Sequence, residues 1–254
     1  MTQAQGDPRV LEGRRALVVG GSGGIGRAVS LELGVRGAYV IVHGGSSRER
    51  LDSALGELKR AGARAEGFLL ELGSPAADIS RLAEALPSLG DIDILVAAFG
   101  PFARKSLAET SVADWERLAL LNLALPGALA SVLLPAMAAR GWGRILLFGG
   151  TRTDGTRAYL SNAAYAAAKT GLAVLAKSLA AEGASRGVGC VLVCPGFVDT
   201  EYLGEPERDA LRSRAPGGRL ISAREIAATA VDLLAAEPCL ASGAAISLDG
   251  GLSF

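Results

Sequence analysis

The chain has 254 residues, about half of them hydrophobic, and its 26 basic residues balance its 26 acidic ones. This length suits one large α/β domain or two small ones, and the balanced charge without a basic stripe argues against a nucleic-acid partner. The single histidine, His43, argues against a multi-histidine metal site, and no metal is expected.

The N-terminus and the cysteines bear on where the protein works. Residues 1–9 are polar and lack the apolar segment of a secretory signal. Cys190 and Cys194 lie on one predicted strand about 13 Å apart, which is too far for a disulfide. With Cys239 they make an odd number of cysteines in apolar surroundings, which indicates reduced thiols in a cytoplasmic protein.

Short β-branched runs alternate with longer helical patterns along the chain. Strands are predicted at 16–19, 39–43, 67–70, 92–97, 144–148, 188–193 and 244–248. Helices are predicted near 25–35, 48–61, 76–86, 111–139, 162–185 and 223–235. This alternation predicts a single α/β domain over 1–254, with a doubly wound, seven-stranded parallel sheet and helices on both faces.

A glycine-rich turn joins the first predicted strand to the first predicted helix. It reads Gly20-Gly21-Ser22-Gly23-Gly24-Ile25-Gly26. Backbone N–H groups and the helix dipole face an anion at such a turn, and the missing side chains let a pyrophosphate approach closely. A dinucleotide is therefore expected to bind Gly20, Ser22, Gly23, Gly24, Ile25 and Gly26, with a flexible loop as the alternative.

The end of the second predicted strand informs the choice of dinucleotide. Proteins selective for NAD place an acid there for the ribose 2′-hydroxyl, and the corresponding residue here is Gly44. Ser46, Ser47 and Arg48 follow and offer groups that bind a 2′-phosphate. NADP(H) is therefore favoured and NAD(H) is the alternative, since the turn also suits a simple helix cap and Glu49 lies nearby.

An uncharged stretch at 118–139 is long enough to span a bilayer. It contains Asn122, Pro126 and Pro135, and no other segment of the sequence resembles it in this respect. We interpret it as a helix that is buried in the core or at a subunit interface, rather than in a membrane.

Tyr165 and Lys169 lie four residues apart in an alanine-rich run that predicts a helix. Residues at this spacing share a helix face, with Cβ atoms about 5–6 Å apart. A lysine ammonium beside a phenol favours the phenolate and lowers the tyrosine pKa, so the pair is suited to general acid–base catalysis near neutral pH. Two unrelated side chains on an ordinary helix are the alternative.

The combined motifs resemble the short-chain dehydrogenase/reductase family over nearly the whole chain. The family's glycine turn, active-site asparagine, Tyr-x-x-x-Lys pair, Pro-Gly-x-x-x-Thr segment and Asp-Gly-Gly signature occur in order. They correspond to residues 20–26, Asn122, residues 165–169, residues 195–200 and residues 249–251. The resemblance implies a Rossmann fold and adds to the cofactor-binding set Glu71, Leu72, Ala98, Gly100, Tyr165, Lys169, Pro195, Gly196, Val198 and Thr200.

The resemblance also implies a mechanism. Tyr165 gives a proton to a carbonyl oxygen while the nicotinamide delivers hydride to the carbon, or the reverse. Lys169 lowers the tyrosine pKa and holds ribose hydroxyls, and Asn122 supports a water that links the lysine to solvent. The implied substrate is a small ketone or secondary alcohol, as in the similar 3-oxoacyl carrier-protein reductases.

The chain departs from the family pattern at the residue that orients the substrate oxygen. Gly149 and Gly150 stand where two serines are usual, and glycine has no hydroxyl. Thr151 is the candidate replacement if the loop bulges by one residue, with Thr153 and Ser161 as weaker candidates. Because losing such a donor typically costs about 10²–10³ in rate, a catalytically weak dinucleotide-binding protein with a regulatory or scaffold role is the alternative function.

The sequence says less about the substrate. Residues 200–219 are charged and rich in glycine and proline, which predicts an insertion or lid. Arg152, Asp154 and Arg157, in the loop after the fifth strand, either meet an anionic substrate or are solvated. Pro135 replaces a basic residue that is usual in carrier-protein reductases, which argues against acyl-carrier substrates.

The resemblance further implies a homotetramer or a homodimer. Its interface helices are the predicted helical segments 118–139 and 162–185. The uncharged character of the first segment agrees with burial between subunits.

Overall fold

The computed structural model describes residues 9–252, so most of the polar N-terminal segment, in which no secretory signal is predicted, lies outside the described residues. Its strands are β1 (Arg15–Val19), β2 (Tyr39–Gly44), β3 (Ala65–Leu69), β4 (Ile94–Ala97), β5 (Gly143–Phe148), β6 (Val188–Pro195), β7 (Val198–Asp199), β8 (Ile221–Ser222) and β9 (Ala245–Leu248). Seven of them form one parallel sheet in the order β3-β2-β1-β4-β5-β6-β9, and β7 pairs with β8. The predicted seven-stranded parallel sheet is confirmed.

Helices cover both faces of this sheet. They are α1 (Gly24–Val35), α2 (Arg48–Arg60), α3 (Pro75–Ala85), α4 (Val112–Ala119), α5 (Leu125–Ala139), α6 (Ala163–Gly183), α7 (Glu205–Arg212) and α8 (Ala223–Ala235). Apolar side chains of α1, α2 and α8 pack into the core on one face. Those of α3, α5 and α6 pack into the core on the other face. The predicted doubly wound Rossmann architecture is therefore confirmed.

The strands are apolar on both sides because both faces are covered. In β1, Leu17 and Val19 face the core beneath α5 and α6, whereas Ala16 and Val18 face the core beneath α1 and α8. All of these side chains are fully buried. Since successive strand residues point to opposite faces, a continuous apolar run encodes a strand of this kind.

Two predicted segments have more internal structure than expected. The helix predicted over 111–139 is α4 and α5 joined by a π-helical turn, Leu120–Ala124. The predicted lid at 200–219 contains α7 and is flanked by β7 and β8.

The strand β3 begins at Ala65 rather than at the predicted residue 67, because this edge strand is only half-buried and its apolar signal is weak.

The helical stretch Val112–Ala139 is long and apolar enough, by length and composition, to cross a membrane, and its most apolar 18-residue window has a mean hydropathy of 1.9. Half of its most apolar part is buried inside the protein. Leu121, Leu125 and Leu129 belong to the core on one face of the sheet. The stretch therefore serves as a core helix of this domain.

The strand order reverses between β1 and β4. The chain runs from β1 outward to β2 and β3, whereas β4, β5 and β6 lie on the other side of β1. In open parallel sheets, ligands bind beyond the carboxyl ends of the strands at such a switch point. Gly20 and Ala98, the residues that follow β1 and β4, mark this place.

Candidate active site

The glycine-rich turn packs against the chain that leaves β4. Gly20 has a φ of +81°, and a Cβ added there would lie 3.0 Å from the backbone nitrogen of Phe99. A Cβ added at Gly26 would lie 2.2 Å from the carbonyl oxygen of Gly20. Side chains at either position would push the turn away from the sheet, so the glycines bring the start of α1 close to the switch point.

His43, on β2, braces this turn. Its Nδ1 accepts a hydrogen bond from the Gly20 N–H at 3.2 Å, and its Nε2–H donates to the carbonyl oxygen of Leu70 at 2.9 Å. The ring is fully buried, and burial lowers the pKa of His43, which favours the neutral ring. No role for this residue was apparent from the sequence, because the contact depends on the pairing of β1 with β2.

A carboxylate of the predicted lid lies at the N-terminus of α1. The Gly24 N–H donates to Oε1 of Glu201 at 2.9 Å. The Tyr202 hydroxyl lies so close to Gly23 that a Cβ added there would be 2.0 Å from it. Glu201 stands where phosphate oxygens bind at such helix ends, so the donor groups of the turn fit a dinucleotide phosphate.

A cleft of about 480 Å³ opens above the turn, and we refer to it as the nucleotide cleft. Ten predicted cofactor residues line it: Gly20, Ser22, Gly23, Gly24, Ile25, Ser46, Ser47, Ala98, Gly100 and Thr200. Four residues that were not predicted also line it: Gly45, Arg50, Phe99 and Tyr202. These last residues flank the predicted ones in the chain, so the loops were identified more accurately than their individual members.

Gly44, the last residue of β2, borders the glycine-rich turn. A Cβ added there would lie 3.3 Å from Oγ of Ser22 and 3.1 Å from Cδ2 of Leu69. An acidic side chain at this position would extend toward the turn and repel a ligand phosphate. The glycine therefore leaves this side of the cleft free of such a charge.

The arginine that lines the nucleotide cleft is Arg50 rather than the predicted Arg48. The Arg50 guanidinium lies over the Tyr202 ring, 5.2 Å from its centroid. Arg48 is exposed and pairs with Asp52 at 3.7 Å. The difference follows from α2, which begins at Arg48, because residues two apart on a helix lie on different faces.

The remaining predicted cofactor residues lie along the same edge of the sheet but outside the nucleotide cleft. Pro195 ends β6, and Gly196 follows it. Val198 lines a neighbouring cavity. Leu72 is buried in the core, and Glu71 is exposed beyond β3.

Two buried polar side chains meet the nucleotide cleft at Gly100. A Cβ added at Gly100 would lie 2.1 Å from Oδ1 of Asn122 and 3.2 Å from Nζ of Lys169. Asn122 is fully buried on the π-helical turn, and its Nδ2 donates to the Pro101 carbonyl oxygen at 3.0 Å. Within residues 9–252 its Oδ1 has no hydrogen-bond partner. A buried acceptor of this kind at the cleft fits a site that a ligand or water completes.

Lys169 is buried beside Asn122, with 5% of its surface exposed. Its Nζ donates to the carbonyl oxygen of Phe148, at the end of β5, at 2.8 Å. Burial lowers the pKa of Lys169 to about 8. The side chain is therefore mainly an ammonium at neutral pH and loses its charge in mildly alkaline solution.

Tyr165 lies one helical turn before Lys169 on α6, as predicted. Nζ of Lys169 is 5.9 Å from the centroid of the tyrosine ring, and Phe102 packs edge-on against the ring at 5.0 Å. Burial raises the pKa of Tyr165, which is opposite to the predicted lowering. The reason is that the phenol is shielded from water while the lysine bonds to Phe148 instead. The phenol is therefore protonated near neutral pH in this structure.

Gly150 lies beside the Tyr165 hydroxyl, where an added Cβ would be 2.9 Å from the phenol oxygen. The Thr153 hydroxyl accepts from the Gly150 N–H at 2.8 Å and donates to its carbonyl oxygen at 3.0 Å, so it is engaged within the loop. The Thr151 hydroxyl donates to the Gly196 carbonyl oxygen at 3.2 Å. Thr151 also lines the cavity that contains Tyr165, so it stays the candidate for a second donor.

This second cavity, the catalytic cavity, has a volume of about 590 Å³. Its aromatic walls are Phe102, Tyr159, Tyr165 and Phe197, and the lid segment closes one side with Leu211 and Arg214. Thr200 lines both this cavity and the nucleotide cleft, so the two spaces meet there. The predicted lid therefore lies over the predicted catalytic residues.

Comparisons with known proteins agree with this geometry. The family model for short chain dehydrogenases matches residues 14–210. The chain is 35% identical over 244 residues to the Escherichia coli (strain K12) 3-oxoacyl-[acyl-carrier-protein] reductase FabG, covering 95% of this chain and 98% of that protein. It is 28% identical over 248 residues to a 2-dehydro-3-deoxy-D-gluconate 5-dehydrogenase of Formosa agariphila, covering 95% of this chain and 93% of that protein.

A solved structure shows the same fold with a dinucleotide in place. The 3-oxoacyl (acyl-carrier-protein) reductase from Agrobacterium tumefaciens C58, with NADP bound, superposes with a TM-score of 0.86 at 28% identity, covering 98% of each chain. The glycine-rich turn, the buried acceptor at the cleft and these relatives lead to one conclusion. The chain belongs to the short-chain dehydrogenase/reductase family and is an NAD(P)-dependent oxidoreductase.

Proposed function

We propose that the protein interconverts a ketone and a secondary alcohol with NADP(H), and that Tyr165 is the general acid and base. One observation carries this proposal: α6 presents Tyr165 to the catalytic cavity and, one turn later, places Lys169 against Gly100 in the wall of the nucleotide cleft. A substrate and a dinucleotide in these spaces would meet beside one helix face. The shared wall at Thr200 supports this arrangement.

The chain's own groups supply the proton transfer. When bound, the nicotinamide supplies hydride to the carbonyl carbon or accepts it from the alcohol carbon. For reduction, Tyr165 is protonated near neutral pH because burial raises its pKa, and its hydroxyl donates a proton to the carbonyl oxygen. The Lys169 ammonium then stabilises the phenolate, since opposite charges attract strongly away from water. Asn122 supports a water beside Lys169 through its Oδ1.

Gly150 leaves the substrate oxygen with fewer protein donors than a serine would. We assign the second hydroxyl donor to Thr151, which reaches this role when it leaves the Gly196 carbonyl oxygen. The alternative, a catalytically weak dinucleotide-binding protein with a regulatory or scaffold role, rests on the same position. Activity of the wild-type protein separates these two functions.

We also propose that NADP(H) is preferred over NAD(H). Ser46, Ser47 and Arg50 line the nucleotide cleft, and Gly44 stands where an acid would select NAD. A guanidinium binds phosphate oxygens in a bidentate way, which favours the 2′-phosphate of NADP(H). The NADP bound to the Agrobacterium reductase supports this choice.

The test is NADPH oxidation with a panel of ketones, compared between the wild type and Tyr165→Phe. The panel includes a 3-oxoacyl thioester and a keto sugar acid, the classes in the names of the relatives. Loss of the general acid is expected to lower kcat about 10²–10⁴-fold while the Kd for NADPH stays the same. Tyr39→Phe is the matched control, because Tyr39 begins β2 at the opposite end of the sheet.

Two results would contradict the proposal. Turnover that is unaffected by Tyr165→Phe would show that another group supplies the proton. A protein that binds NADPH but reduces none of the ketones would favour the regulatory or scaffold role.

We propose a cytoplasmic homo-oligomer, either a tetramer or a dimer, with α5 and α6 at the interface. Val132 on α5 and Val174 on α6 are exposed apolar side chains, 43% and 69% accessible. Burial of such residues against a second copy stabilises an assembly by about 25 cal/mol per Å² of apolar surface. Light scattering of the wild type and of Val174→Glu tests this, and a wild-type monomer would contradict it.

A further inference from the structure

We propose that the substrate of this site is a small oxo acid, a carbonyl compound that carries a carboxylate. The inference rests on the proposed function and names its substrate class. Four arginines line the catalytic cavity: Arg104, Arg152, Arg157 and Arg214. Glu207 is the one carboxylate side chain in the same lining, so the cavity wall is strongly positive although the whole chain has no net charge.

The arginines reach the cavity from three separate segments of the chain. Arg104 lies after β4, Arg152 and Arg157 lie after β5, and Arg214 follows α7 in the lid. The charged side chains of a solvated loop point in many directions. When positively charged side chains from several loops line one cavity, they create a focused positive potential there. The convergence is therefore a property of the folded site rather than of any one loop.

Arginines elsewhere in the lid are paired with carboxylates. Arg208 pairs with Asp199 at 2.8 Å, and Arg212 pairs with Asp209 at 2.5 Å. Arg214 instead lies over the Phe197 ring, 5.2 Å from its centroid. In the described part of the chain no carboxylate forms an ion pair with it, so its guanidinium is available to a ligand in the cavity.

The same contrast holds in the other two segments. Lys105 pairs with Asp114 at 2.7 Å, while its neighbour Arg104 forms no ion pair with any described residue. Arg157 pairs loosely with Asp154 at 3.7 Å, and Arg152 has no such partner among residues 9–252. Three of the four cavity arginines thus lack an internal counter-ion.

Arg152 also has an unusual backbone conformation. Its φ of +64° is the only left-handed one among the non-glycine residues that the structure describes. Its carbonyl oxygen accepts a hydrogen bond from the Tyr159 hydroxyl, which holds the loop in this shape. A left-handed backbone conformation at a non-glycine residue costs of order 1 kcal/mol and is typical of functional sites. The residue with this strained backbone is therefore also one that places an unpaired guanidinium at the catalytic cavity.

The dimensions and the remaining wall select the size and charge of the ligand. A volume of about 590 Å³ suits a small molecule. Phe102, Leu211 and Leu252 add apolar surface to the cavity wall and suit a short carbon chain. Arginine forks match carboxylate geometry. A small oxo acid satisfies these conditions together.

The experiment compares 2-, 3- and 4-oxo acids with their methyl esters as substrates for NADPH oxidation. At least one acid is expected to exceed its ester about tenfold in kcat/KM, and its KM should rise with ionic strength. Arg104→Gln and Arg214→Gln should each raise KM for that acid about tenfold and leave the ester unchanged. Arg212→Gln, an arginine of the lid outside the cavity wall, is the matched control.

The outcomes separate this inference from the proposed chemistry. Better reduction of the esters, of neutral ketones or of acetoacetyl-coenzyme A than of every oxo acid would overturn the inference and leave the reductase function intact. So would arginine substitutions that affect acids and esters equally. If the protein reduces none of these compounds, calorimetry measures the binding of the oxo acids to the NADPH-bound protein. Binding that Arg214→Gln abolishes would support the inference. The absence of binding would overturn the inference.

Discussion

The nucleotide cleft and the catalytic cavity are built in different ways. The cleft is made mostly of backbone: a glycine-rich turn, the first N–H groups of α1 and the ends of β1 and β4. The catalytic cavity is made of side chains from six segments, which lie after β4, after β5, on α6, after β6, in the lid and after β9. A backbone site requires a short, fixed spacing of glycines, whereas a side-chain site requires distant segments to meet.

This difference explains which parts of the site tolerate change. At the glycine-rich turn, added atoms collide with the carbonyl oxygen of Gly20 or with Phe99, so the sequence has little freedom. In the catalytic cavity the arginines are exposed, and a substitution removes a contact with ligand without disturbing the core. We therefore expect changes in the cleft to affect folding and binding together, and changes in the cavity to affect substrate choice.

The largest effect is expected for Gly26→Ala. Its Cβ would lie 2.2 Å from the Gly20 carbonyl oxygen, and overpacking of this kind costs about 3 kcal/mol of unfolding free energy. The displaced turn should also weaken NADPH binding at least 100-fold, about 2.7 kcal/mol. Gly45→Ala in the same cleft is the control, because nothing lies within 4 Å of its Cβ. Equal effects of both substitutions on the unfolding free energy and on NADPH affinity would contradict this prediction.

Lys169→Met tests whether the buried lysine between the nucleotide cleft and the catalytic cavity lowers the free energy of unfolding. Burial lowers the pKa of Lys169 from 10.5 to about 8, so between these pH values the unfolded chain binds more protons. Stability from this side chain therefore rises with pH over that window. At pH 7 the substitution is expected to add about 1–3 kcal/mol to the unfolding free energy while reduction is lost.

Urea denaturation at pH 7 and pH 10.5 measures this difference. The advantage of Lys169→Met over the wild type should shrink as the pH rises through the window. Destabilisation at pH 7 would show that the hydrogen bond from Lys169 to Phe148 outweighs the cost of burying the ammonium.

Arg50→Ala tests the charged side chain that lines the nucleotide cleft. Removing a guanidinium from the proposed 2′-phosphate site is expected to weaken NADPH binding about tenfold, or 1.4 kcal/mol, with little change for NADH. Arg48→Ala should have the smaller effect, because Arg48 pairs with Asp52 outside the cleft. Fluorescence titration with both dinucleotides measures this, and the reverse order would assign the phosphate to Arg48.

The smallest effect is expected for Glu201→Gln. The Glu201 carboxylate accepts from the Gly24 N–H and so competes with a phosphate for the start of α1. Since Glu201 is exposed, we expect a gain in NADPH affinity of about three- to fivefold. Glu205→Gln, a lid residue paired with Arg208, is the control. Weaker NADPH binding would show that Glu201 assists the cofactor instead of competing with it.

Local patterns predicted much of this protein. The alternation of strands and helices, the glycine spacing, and the pairing of Tyr165 with Lys169 on one helix depend on residues near each other in the chain. The strand β1 is apolar from Ala16 to Val19 because both faces are covered, and that pattern was visible in the sequence. The confirmed sheet and family follow from such short-range rules.

The sequence by itself determined the α/β class, the glycine-rich turn between β1 and α1, and the helix that carries Tyr165 and Lys169. Only the tertiary structure decided that His43 braces the turn, that Arg50 rather than Arg48 lines the cleft, and that burial raises the Tyr165 pKa. It also brought the four cavity arginines together. The physical reason is that spacing along one strand or helix is set by local geometry, whereas burial and charge at a site depend on segments that only the folded sheet places side by side.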